Sequence, residues 1–194
     1  MFSRRFILAG TAALAALPAG GAKARQEDDI MSHILGQPSL AWSVYGLRRP
    51  ARARSAPEVP GGQAVRVQAP QTANPWDIGA SLPVDGDINA GDVVLLAVWL
   101  RAETPPDGQT TVRLNSVGIQ QSSAPYQPVI TGAVTLTSEW KMLFVSGTAA
   151  EARPKGAANV NLQLGGSAQT VDLGPAFVFN LGHGYDQSRL PRND

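Results

Sequence analysis

Short runs of β-favouring residues, broken by glycine, proline, asparagine and aspartate about every ten positions, decide what this chain can become. From Leu40 onward almost no window sustains a helical period. The strictest alternation is Asn159-Val160-Asn161-Leu162-Gln163-Leu164, with amides on one face and aliphatics on the other, closed by Gly165-Gly166. Residues 63–69 repeat the pattern, Val65, Val67 and Ala69 pointing one way, Arg66 and Gln68 the other. In residues 110–119, Val112 and Leu114 oppose Arg113 and Asn115.

The longest apolar run after the N-terminus spans residues 91–102. Its period-two reading puts Val94, Leu96, Val98 and Leu100 on an aliphatic face. Val93, Leu95, Ala97, Trp99 and Arg101 form the opposite face, which begins apolar and ends in an aromatic and a cation. That pattern predicts a central strand with one side in a core and the other lining a concave surface. Asp107-Gly108 predicts the tip of a hairpin-type loop. Residues 169–179 predict a last strand interrupted at Gly174-Pro175, and Arg48 to Arg54 a solvated loop and edge strand, with a contact to an acidic glycan or surface lipid as the alternative.

About nine or ten short strands without intervening helices define an all-β chain, a sandwich of two antiparallel sheets. The jelly roll is the preferred form, because two sheets of unequal exposure account for two kinds of outward face. An immunoglobulin-like sandwich is the rival; it usually has fewer strands and gives no reason for an amide-lined face.

The beginning of the chain carries a different signal. Arg4-Arg5 precede an apolar run, and Ala22-Lys23-Ala24 is an A-x-A cleavage site. The order Ser3-Arg4-Arg5-Phe6-Ile7-Leu8 resembles a twin-arginine export signal, with an ordinary secretory signal as the alternative. The expected layout is an export signal peptide over residues 1–24, a polar segment over 25–39, the sandwich over 40–182 and a C-terminal tail over 183–194. Gly10, Pro18 and Gly20 break the leader's apolar run, so no membrane span is expected after processing. The expected destination is the periplasm or the exterior.

Composition narrows the function. The net charge is +1, and loss of Arg4, Arg5 and Lys23 with the leader would make it slightly acidic, unlike a nucleic-acid-binding domain. The absence of cysteine excludes disulfides and thiolate zinc sites. His33 and His183 lie near opposite ends of the mature chain, without metal-ligand spacing. Ser138-Glu139-Trp140-Lys141 matches S-x-x-K but lacks its companion motifs, and no nucleophile elbow or phosphate loop occurs. No catalytic residue is assigned, although a pair of acids for glycoside chemistry is not excluded by sequence.

Binding is better represented. A sugar offers C–H faces to flat aromatics and hydroxyls to amides and guanidinium groups. Asn159, Asn161 and Gln163 on one strand, Arg113 and Asn115 on another, and Trp99 with Arg101 on the central strand form a candidate set. Trp76, behind Asn74-Pro75, and Tyr126, between two prolines, are candidates for a binding rim. The alternative is the plain solvent face of a half-exposed sheet. Trp42 and Trp140 are expected to plug the sandwich ends, and Phe144, Phe177 and Phe179 to lie in the core.

Three stretches in order carry a family resemblance: residues 60–67 (PGGQAVRV), residues 74–78 (NPWDI) and residues 90–102 (AGDVVLLAVWLRA), followed by Trp140 opening a strand and residues 169–174 (QTVDLG). Over residues 42–182 the chain resembles carbohydrate-binding modules of the family 4, 9 and 22 type, found beside xylanase-like and esterase-like catalytic domains. The resemblance implies a galactose-binding-like jelly roll and non-catalytic binding of a polysaccharide or oligosaccharide. The expectation is a monomer that works alone or with a separate carbohydrate-active enzyme. The structural calcium of such modules is possible but not assigned, because the strand that helps place it departs at Leu173-Gly174-Pro175. Two other functions stay open: an envelope interaction domain that has lost sugar binding, and a small lyase or esterase.

Overall fold

The computed structural model describes residues 30–193, so the expected leader and the start of the polar segment lie outside the described residues. Ten strands follow one another: β1 (Ser43–Tyr45), β2 (Arg52–Ser55), β3 (Gln63–Ala69), β4 (Gly79–Pro83), β5 (Asp92–Thr104), β6 (Val112–Gln121), β7 (Pro128–Leu136), β8 (Lys141–Thr148), β9 (Ala158–Gln163) and β10 (Gln169–His183). They form two five-stranded antiparallel sheets. The front sheet has the order β1-β4-β9-β6-β7 and the back sheet β2-β3-β10-β5-β8. This is the jelly-roll sandwich that the alternation predicts.

The core lies between the inner faces. Val94, Leu96, Val98 and Leu100 of β5 meet Val160 and Leu162 of β9, Leu114, Val117 and Ile119 of β6, and Val171 and Leu173 of β10 in one buried cluster. Each such aliphatic side chain removed from water contributes about 1.5–3 kcal/mol, the term that must offset ordering a chain without disulfides. Trp42 closes one end, its indole N–H donating to the Gly174 carbonyl at 2.9 Å.

The other face of β5 is not the lining of a concave surface. Val93, Leu95 and Ala97 pack with Phe179, Leu181 and Leu190, and Ile30, Ile34, Phe144 and Phe177 join them. The apolar character of that face is therefore accounted for by the first and last of the described residues, which cover it. A 3-10 turn at Ile30–His33 leads into residues that bridge to β10, Ile34 opposite Phe179 and Ser39 opposite Ala176. The C-terminal residues return so that Asn193 brackets the backbone of Phe144 with two hydrogen bonds of 2.8 Å.

One local expectation changes, and another is refined. The loop around Asp107-Gly108 joins β5 of the back sheet to β6 of the front sheet, so it is a crossover and not a hairpin. Gly174-Pro175 does not end the last strand. β10 continues through it with a register shift between Leu173 and Ala176, a bulge being the device by which a strand tolerates a residue that cannot donate.

Candidate functional site

The outer face of the front sheet is built around β9. Antiparallel register sets Ser81 of β4 opposite Asn161, and Gly118 of β6 on its other side. Ser81 has little bulk beside Asn161 and the two line a trough there, whereas the Ile130 carbonyl of β7 fills the space that a Cβ on Gly118 would need. Two residues on in each direction, on the same face, lie Gln163, opposite Gly79, and Asn159, opposite Gln120. The amides of β9 thus run along the trough, spanning about 13 Å at the usual rise of a strand.

Aromatic residues stand at both ends. At the Gln163 end, Tyr45 lies across Gly79, where a Cβ would fall 2.2 Å from the phenol oxygen. Trp76 sits beside it in a 3-10 turn at Pro75–Asp77. Its turn is fastened on both sides: the Asn74 N–H donates to the Asp77 carboxylate at 2.9 Å, and the Gly165 N–H to the Pro75 carbonyl at 2.9 Å. Gly165 cannot be replaced without collision, because a Cβ would lie 2.6 Å from Thr72 Oγ1 and 2.7 Å from the Asn74 carbonyl oxygen. At the Asn159 end, the β6–β7 hairpin brings in Tyr126, held at a positive φ of 57° with its N–H donating to the Ser123 carbonyl at 2.9 Å. A bulky residue in that region is uncommon and costs on the order of 1–3 kcal/mol, a cost that clusters at ligand-contacting sites.

Tyr45, Trp76, Ser81, Gln120, Tyr126, Asn159, Asn161 and Gln163 line one cleft of about 470 Å³. Trp76 is 59% exposed, Tyr126 56% and Tyr45 41%; of the large apolar or aromatic side chains left exposed, these three share a cleft, and exposed aromatics gathered in a concavity mark a binding surface. Among the described residues the side chains of Gln120, Asn159 and Gln163 have no hydrogen-bond partner, and Asn159 Oδ1 is also shut off from solvent. Asn161 is engaged weakly, its amide 3.5 Å from the Tyr45 hydroxyl. The cleft offers flat faces and unspent donors and acceptors, and no charged side chain lines it.

No protein-family model and no curated protein sequence matches the chain. Solved structures do. A family 4 carbohydrate-binding module aligns with 23% identity over 72% of this chain and 94% of its own length, at a TM-score of 0.55. The fold is that of a carbohydrate-binding module. The N-terminal cellulose-binding domain of Cellulomonas fimi β-1,4-glucanase C aligns with 22% identity over 75% of this chain and 95% of its own, TM-score 0.53. An arabinose-bound family 51 α-L-arabinofuranosidase reaches a TM-score of 0.57 at 12% identity, over 76% of this chain but only 26% of the enzyme.

Within this module-like fold, five of the residues singled out in the sequence, Trp76, Tyr126, Asn159, Asn161 and Gln163, meet in the cleft. Trp99 and Arg101 do not. They lie on the back sheet, on the face turned away from the front sheet, and the predicted meeting of Trp99 and Arg101 with the β9 amides does not occur. Trp99 packs with Trp140 against Ala56, Val59 and Ala64. The Arg101 guanidinium lies 5.3 Å from the centre of the Trp140 ring and donates to Asp172 at 2.9 Å. Asp172 is fully buried and also takes Arg54 at 2.7 Å and Arg66 at 2.8 Å. Glu103 bonds Arg66 at 2.7 Å, which raises the Arg66 pKa and lowers its own. These charges are spent on one another.

Arg113 and Asn115 lie on the outer face of the front sheet but beyond the cleft, Arg113 donating to Asn115 at 3.1 Å. Tyr45, Ser81 and Gln120 are cleft residues that strand alternation alone did not single out. Gln120 has a definite reason. A register shift between Leu114 and Val117 reverses the parity of β6, so Gly118 and Gln120 share the face of Arg113 and Asn115.

His33 and His183 are brought to the same end of β10, His33 Nδ1 3.2 Å from the Asn180 carbonyl and His183 paired with Asp92 across the ladder. Among the described residues no group of three or more histidine, aspartate or glutamate side chains is placed to hold a metal ion.

Proposed function

We propose that this chain binds a polysaccharide or oligosaccharide without catalysis, its uncharged sugar rings lying in the Trp76–Tyr126 cleft. The convergence of Tyr45, Trp76 and Tyr126 on a row of unspent amides carries the reading. Pyranose C–H faces stack on the aromatics, and ring hydroxyls pair with Gln120, Asn159, Asn161 and Gln163 as donor and acceptor at once. Each aromatic contact contributes about 0.5–1.5 kcal/mol beyond area burial, which suits micromolar to millimolar affinity. The cleft holds no carboxylate or imidazole, so no general acid–base pair faces a bound glycosidic bond. Fold likeness to a cellulose-binding domain supports a β-linked glycan. The paired arginines and A-x-A site of the leader support export to the periplasm or beyond, and among the described residues no helix is long and apolar enough to cross a membrane. A monomer serving a separate carbohydrate-active enzyme completes the reading.

Affinity electrophoresis through gels containing xylan, mixed-linkage glucan or mannan tests it. At least one polymer should retard the protein without release of reducing ends, and Trp76→Ala should remove the retardation. Free migration in all three, or sugar release, overturns the reading.

A further inference from the structure

A second cleft, of about 850 Å³, opens on the back-sheet side, and its chemistry differs entirely from the first. It exists because β2 is shorter than β3. Arg52 pairs with Arg66 and β2 goes no further, so β3 runs on through Gln68 and Ala69 with no strand on that side. The chain from Gly46 to Ala51, crossing from the front sheet to the back, arches past this open edge and leaves a concavity under it. Arg48, Arg49, Arg52 and Arg66 line it, with Gln68 and Gln71 beside them, and no carboxylate does.

The state of these arginines separates them from the ion-paired cluster next door. Arg54, Arg66 and Arg101 are committed to Asp172 and Glu103. Arg48, Arg49 and Arg52 are exposed and, among the described residues, their side chains have no hydrogen bond or ion pair. Three uncompensated guanidinium groups, those of Arg48, Arg49 and Arg52, around one concavity make a local positive field, and planar guanidinium forks match carboxylates in two-point contact. Unpaired like charges held together repel one another, so an arriving anion relieves a cost that the fold otherwise carries.

We infer that the Arg48–Arg49–Arg52 cleft is a second binding site, which takes the carboxylate groups of an acidic glycan. The choice of a glycan over other polyanions rests on the reading of the aromatic cleft. The two concavities adjoin: Gly46 of the second follows Tyr45 of the first and packs on Asp77, and Thr72 of the second belongs to the turn system that holds Trp76, so one polymer can reach both. Uncharged rings then stack in the first cleft, while acidic units or side groups reach the second.

Retention by polygalacturonate, scored against the fully methyl-esterified polymer, tests the site. The protein should be retarded by the acid polymer and not by the ester, and the retardation should vanish at about 0.5 M salt, where exposed charges are screened within a few ångströms. The triple variant Arg48→Ala/Arg49→Ala/Arg52→Ala, made at exposed positions, should weaken retention about tenfold with an unchanged melting temperature. Trp76→Ala should keep this retention even though it loses uncharged glycan, so the two sites fail or succeed separately. Equal retention by the ester, full retention by the triple variant, or binding only to phosphatidylglycerol vesicles would overturn the assignment.

Discussion

The ring of Tyr45 occupies the space that a side chain on residue 79 would need, the phenol oxygen lying 2.2 Å from an ideal Cβ there. Tyr45 is an edge-strand residue with room to swing outward. Gly79→Ala should therefore keep the fold and displace the ring. The expected cost is about 1 kcal/mol, or roughly fivefold, in glycan affinity, with little change in stability. Titration of the variant, with near-ultraviolet dichroism to follow the tyrosine, checks both parts.

Trp76 and Trp99 should separate function from structure. Trp76→Ala removes an exposed ring on a turn whose backbone bonds remain, so stability should move by no more than about 0.5 kcal/mol while glycan binding is lost. Trp99→Ala opens the packing around Ala56, Val59 and Ala64 and should cost about 2–3 kcal/mol with binding unchanged. Urea denaturation beside the same titration distinguishes the two patterns.

Asp172 gathers Arg54, Arg66 and Arg101 from three strands, and its side chain has no exposure. Asp172→Asn keeps the volume and removes the charge, leaving three guanidinium groups facing a neutral amide. A loss of about 3 kcal/mol is expected, measured by the shift of the urea midpoint, since an uncompensated cluster costs more than the intact one contributes. Affinity for uncharged glycan should not change, because the cluster lies on the sheet opposite the cleft.

Acid should weaken the fold through two carboxylates. The hydrogen bond from Arg66 holds the Glu103 pKa below its ordinary 4.5. At Asp92 burial pushes the pKa up, but hydrogen bonds from the Asn89 backbone, Asn180 and the Asn89 side chain outweigh it and bring the value below 3.8. A pKa lower in the folded than in the unfolded chain means stability that is complete above the unfolded values and lost as pH falls through the folded ones. Thermal melts should be flat above about pH 5 and decline below about pH 4, and Asp92→Asn should lower the plateau and flatten the decline.

Much of this molecule is legible in its residues, for physical reasons. Asn159 to Leu164 alternates so strictly because β9 is the middle strand of a sheet with one face in the core and one lining a cleft. The same rule misleads at β5. Its outer residues Val93, Leu95 and Ala97 are apolar because the first and last of the described residues lie over them, and periodicity cannot tell a covering segment from a ligand. Arg101 beside Trp99 resembles a sugar platform in sequence, yet its partner Asp172 is remote in the chain. Gln120 is hidden for a third reason: the shift in β6 reverses which residues face outward, and nothing in residues 114–117 announces it. Loop aromatics were the better guide, since Trp76 behind Asn74-Pro75 and Tyr126 between prolines have no core role that a turn would allow.

The central claim is that glycan occupies the front-sheet cleft and leaves the outer face of β5 untouched. Side-chain amide and indole resonances, followed by nuclear magnetic resonance during titration with cello- and xylo-oligosaccharides, report on this directly. The account predicts saturable shifts at Gln120, Asn159, Asn161, Gln163 and the Trp76 indole, with Trp99 and Arg101 unmoved. Shifts centred on Trp99 and Arg101, with the amides of β9 silent, would contradict it.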